Sequence, residues 1–69
     1  MESPRHPRAV VLEAALGEAT VTQMNAMVGN AMRSSGATQD QINEFYTEAR
    51  KQKDRIAALQ VVREWVTVA

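Results

Sequence analysis

Tyr46, Arg50 and Lys53 are the residues whose types and spacing most readily suggest chemistry. They fall at i, i+4 and i+7, so on one continuous helix an aromatic ring and two cations share a face. A ring stacks a nucleobase, and a guanidinium and an ammonium neutralise phosphate, so the trio suits a nucleotide-sized anion. The alternative is a boundary tyrosine beside solvated basic side chains. Asn25 and Arg33, on a separate helical segment, either add hydrogen-bonding groups to this candidate site or belong to a solvated face.

Other chemistry finds less support. Nucleophilic catalysis needs an activated nucleophile beside a base. The chain has no cysteine, and its one histidine, His6, lies in a proline-bearing stretch where nothing local orients it, so no enzyme activity is expected. Asp40, Glu44 and Glu48 step along one helical face but are followed by Arg50, Lys51 and Lys53, which reads as a solvated acidic face rather than a metal site. No cofactor motif is present. Met24, Met27 and Met32 share a helical face and read as core rather than as a binding groove.

Eight Lys plus Arg balance eight Asp plus Glu, giving a formal net charge of zero, which argues against a general nucleic-acid binder. A helix-turn-helix is disfavoured as well, because its recognition helix would turn Asp40, Glu44 and Glu48 towards phosphates. No apolar run approaches the roughly 20 residues of a membrane-spanning helix. Nor does an apolar stretch with a cleavage site follow Arg5 and Arg8, so a cytoplasmic location is expected.

The elements that must position these groups read as helices. Residues 1–7 form an extended lead-in, and residues 8–69 form a single all-α domain of three or four short helices. The first helix is AVVLEAAL, starting after Arg8 and ending at Gly17. The second is amphipathic, with Val21, Met24, Met27, Val28, Ala31 and Met32 on one side, capped by Thr20 or Thr22 and closed by Gly36. Gly29 inside it suggests that another helix crosses closely there. Thr38 and Gln41 form a capping box for the third, whose apolar stripe is Ile42, Phe45, Tyr46 and Ala49, with Phe45 facing the core and Tyr46 nearer a rim. A polar step follows, and Asp54 caps the fourth helix. The tail Val66-Thr67-Val68 either frays or extends as a short strand.

The last helix carries two apolar stripes, Ile56-Leu59-Val62-Val66 and Ala58-Val61-Trp65. A core this small supplies only about 3–5 kcal/mol, so the second stripe suggests a homo-oligomer interface built from Ile56, Leu59, Val62, Trp65 and Val66.

The block INEFYTEAR followed by DRIAALQVVREWVTV resembles the C-terminal half of short helical proteins of tailed phages, with an EF..EA helix, a polar step and a final helix ending in WV.V. The likeness covers about two-fifths of the chain, and no site motif aligns with it. It implies a stoichiometric anti-defence binder, either a sponge holding a cyclic nucleotide signal between subunits or an inhibitor docking an apolar helix face on a host protein.

Overall fold

The computed structural model describes residues 3–69. Its elements in chain order are β1 (His6–Val11), α1 (Glu13–Glu18), α2 (Val21–Ser34), α3 (Gln39–Arg50), α4 (Arg55–Trp65) and β2 (Val66–Val68). Four helices therefore stand between the two strands of a parallel sheet, and the expected all-α class is corrected. The segment expected to open the first helix is a strand through Val11, and the helix that follows begins only at Glu13. The lead-in expected over 1–7 already enters β1 at His6, while Met1 and Glu2 lie outside the described residues.

The strand forms because a partner arrives from the far end of the chain. α4 runs directly into Val66, whose φ of −135° and ψ of 165° are extended, and β2 pairs with β1 in the register His6↔Val66, Val10↔Thr67 and Val11↔Val68. An irregularity between His6 and Val10 takes up the extra β1 residues. Alternation in β1 then buries Ala9 and Val11 while Val10 stays outside. The four intervening helices make the crossover that parallel pairing requires.

Local signals set the helix ends. Thr20 with Gln23 and Thr38 with Gln41 form complete capping boxes, and the Asp54 carboxylate accepts from the Ala57 amide at 2.8 Å. α2 closes in a Schellman turn. Gly36, at φ +96°, donates to the Arg33 carbonyl, and Ala37 donates to that of Met32. α3 stops at Arg50 and α4 starts at Arg55, so the polar step is a true break. α1 has no side-chain cap at its start, but at its other end the partly buried Arg55 guanidinium donates to the Leu16 and Ala19 carbonyls.

One core holds the fold, with Trp65, Phe45, Leu16, Met24, Met32, Ile42 and Val28 fully buried. Trp65 is 2% exposed. The Phe45 ring meets it edge-on at 5.9 Å, the His6 ring stacks on it at 5.9 Å, and the Arg5 guanidinium sits 4.4 Å from its ring centre. Its Nε1–H donates to Glu48 Oε2 at 3.2 Å. His6, which nothing local seemed to orient, is thus held by stacking.

Most of the residues expected at a subunit interface are covered within the chain. Val62, Trp65 and Val66 are buried within the chain, Trp65 against Phe45, His6 and Arg5 and Val66 in its pairing with β1, Leu59 is half-buried, and only Ile56, at 73%, stands clear. The radius of gyration, 10.7 Å, matches the roughly 11 Å of a closed domain of this length. Besides Ile56, Val10 and Leu12 are the large apolar side chains left exposed, and isolated cases of this kind are ordinary. No described helix is long and apolar enough to cross a membrane.

Candidate functional site

The second and third helices define the site. Thr22, Asn25, Ala26 and Gly29 lie at i, i+3, i+4 and i+7, one stripe along α2, and Tyr46 and Arg50 lie one turn apart on α3. Thr22, Asn25, Ala26, Tyr46 and Arg50 together line a cleft of about 280 Å³ between the two helices.

Gly29 makes the close approach possible. A Cβ built there would lie 2.0 Å from the Tyr46 hydroxyl oxygen and 2.7 Å from its Cζ, so the phenol rests directly on the α2 backbone. The helical cost of a glycine, about 1 kcal/mol relative to alanine, is accepted where it admits an aromatic ring. Phe45, one residue earlier, points into the core, its ring centre 5.6 Å from that of Tyr46. The tyrosine hydroxyl end consequently rests on α2 while the residue remains half-exposed at the cleft.

No carboxylate lines the cleft. The Arg50 side chain is exposed and, among the described residues, makes neither a hydrogen bond nor an ion pair within the chain, as also holds for those of Arg8, Lys51 and Lys53, whereas Arg33 donates to Gln39, Arg55 to two carbonyls, and Arg63 lies 4.0 Å from Glu13. Guanidinium, phenol, threonine hydroxyl and amide supply hydrogen-bond donors to one small volume, the inventory an anion requires.

Of the five expected site residues the fold brings three together: Asn25, Tyr46 and Arg50. Lys53 lies beyond the end of α3, in the break before Asp54, so the i+7 spacing does not carry it onto the same helical face. Arg33 lies near the far end of α2, where its guanidinium donates to Gln39 Oε1 at 3.3 Å. Thr22 and Gly29 are the residues that sequence reasoning missed as site members. The signal was present, since both share a helical stripe with Asn25.

A second, more open groove of about 880 Å³ runs along the outer face of α3 and is lined in part by Asp40, Glu44, Glu48, Arg5, Lys51 and Trp65. Its carboxylates make it a poor host for an anion, and its Trp65 edge is already engaged by Glu48 and Arg5.

Compared with known proteins, the chain matches no family model, no curated protein and no solved structure.

Proposed function

We propose that the protein is a non-enzymatic binding module that captures a small anionic ligand carrying a planar ring, of the nucleotide class, in the cleft between α2 and α3. One observation carries this reading: an arginine with no partner among the described residues converges with Tyr46, Asn25 and Thr22 on a cleft that holds no carboxylate. Arg50 pairs the anion, Tyr46 offers its ring face, and Thr22 and Asn25 orient the ligand. The volume, about 280 Å³, is at the lower end of small-molecule sites and suits one nucleotide unit. A cyclic di- or trinucleotide would engage the cleft with one unit and leave the rest outside. The resemblance of the α3–α4 segment to small phage proteins supplies a setting for such capture, the sequestration of a nucleotide signal.

Calorimetry of the full chain against nucleoside monophosphates and cyclic di- and trinucleotides tests the proposal. Binding by at least one member is expected, weakened about tenfold or more in Arg50→Ala, because a charge-assisted hydrogen bond of this kind contributes on the order of 1.5–3 kcal/mol. Absence of heat with every member removes the proposal.

A further inference from the structure

Val10 and Leu12, exposed at 51% and 62%, are two of the three large apolar side chains that the fold leaves outside. Taken singly each is ordinary, but together they flank a bare strand edge. β1 has β2 as its one strand neighbour among the described residues. The Ala69 amide donates to the Val11 carbonyl at 2.9 Å and the Glu13 amide to the Ala69 carbonyl at 2.6 Å, so Val11 and Glu13 turn main-chain groups towards the β2 end. Successive residues of an extended chain present those groups to opposite sides. The N–H and C=O of Val10 and the N–H of Leu12 therefore face away from β2, where no group of the described residues bonds to them.

We propose that this edge pairs antiparallel with the same edge of a second copy of the chain, giving a four-stranded sheet in the order β2-β1-β1-β2. An edge of this kind is matched by another extended segment. The charges at its ends say which one. Arg8, exposed and without an ion pair among the described residues, stands near the start of the strand, and Glu13, held only loosely by Arg63 at 4.0 Å, follows its end. Antiparallel self-pairing about Val10 sets Arg8 of each copy beside Glu13 of the other, whereas parallel pairing would bring like charges together. The two Val10 residues then exchange both N–H···O bonds, and Leu12 lies across from the aliphatic stem of the other copy's Arg8. Pro7 has no amide to donate and ends the ladder beyond Arg8. The outer edge left on each side is β2, three residues long and too short to carry the assembly further, so association stops at two. β1 lines no part of the α2–α3 cleft, and the pairing is independent of the anion site.

Sedimentation equilibrium of the full chain, from micromolar to millimolar concentration, tests the proposal. The mass should rise with concentration from that of one chain towards that of two. Val10→Pro deletes the outward amide while sparing the ladder to β2, and should abolish the dimer. Arg8→Glu sets like charges beside one another and should weaken it about tenfold. This second variant keeps the test decisive should the proline disturb β1, because Arg8 is exposed and its exchange leaves the core alone. Adding Glu13→Arg to Arg8→Glu restores opposite charges at both ends and should return the dissociation constant to within about threefold of the wild type. A single chain at millimolar concentration, or a dimer equally tight in Val10→Pro and Arg8→Glu, overturns the proposal. A chain that stays single by itself yet takes up an unrelated extended peptide along Val10 overturns the second copy as the occupant, and a double variant that fails to recover overturns the antiparallel arrangement.

Discussion

Replacing Gly29 with alanine separates the stability of the α2–α3 contact from its role in the site. The added Cβ would lie 2.0 Å from the Tyr46 hydroxyl oxygen, so the phenol must retreat by roughly 1.4 Å to reach a tolerable contact of about 3.4 Å. Two effects oppose one another. Alanine is favoured over glycine inside a helix by about 1 kcal/mol, whereas displacing the ring costs packing. What the Cβ meets is the far end of a side chain that can swing outward, not backbone, so the packing cost is of the same order, about 1–2 kcal/mol. The net change is therefore expected within about 1 kcal/mol, a shift of roughly 4–8 °C or less in melting temperature for a domain of this size. Ligand affinity should fall about tenfold, because the stacking face leaves the cleft. Thermal denaturation combined with calorimetry reads both quantities, and a double-mutant cycle with Tyr46→Ala isolates the clash. Without the ring, Gly29→Ala should stabilise the chain by about 0.5–1 kcal/mol. Destabilisation by Gly29→Ala of the same size with and without the tyrosine would refute the idea that Gly29 exists to seat Tyr46.

Further expectations concern the core and the α1 clamp. Trp65→Ala removes the ring that Phe45, His6 and Arg5 pack against, at a cost of about 3–5 kcal/mol. A chain this short has roughly 3–10 kcal/mol in total. The variant should therefore lose its cooperative thermal transition in far-ultraviolet dichroism; a cooperative melt within a few degrees of the wild type would contradict an intrachain role. Arg55→Ala removes the guanidinium from the Leu16 and Ala19 carbonyls, leaving Leu16 only the Ala19 amide, and should cost about 1–3 kcal/mol, with faster hydrogen exchange in α1 before the other helices. Lysine should not rescue it, since one ammonium does not reproduce a fork spanning two carbonyls. Unchanged exchange in α1 would dismiss the clamp.

Where the determinants were local, the sequence was readable. Thr38 with Gln41, the Asp54 cap and the different directions of Phe45 and Tyr46 all depend on residues within a turn or two of one another, and the structure has them as the spacing suggests. The glycine at position 29 hinted at a close crossing, which Tyr46 of α3 makes. β1 was not legible, because Ala9, Val10 and Val11 followed by Leu12 satisfy helix propensity equally well. What makes them a strand is Val66–Val68 at the other end of the chain, a long-range pairing that no local window contains. The apolar surplus of α4 was visible, but the spacing could not show that α2, α3 and β2 of the same chain pack against it. The site was half legible for a related reason: helical spacing joined Tyr46 to Arg50 but wrongly extended to Lys53 across the break at Lys51. Asn25 joined them only once α2 and α3 were packed.

Locating a bound nucleotide on the protein surface probes the α2–α3 cleft most directly. Amide chemical shifts of the labelled chain, recorded as adenosine monophosphate is added, should move first and furthest at Thr22, Asn25, Ala26, Tyr46 and Arg50, and should stay still in Arg50→Ala. Changes centred on Arg5, Lys51 and Trp65, or no changes at millimolar nucleotide, would contradict an anion site between these helices.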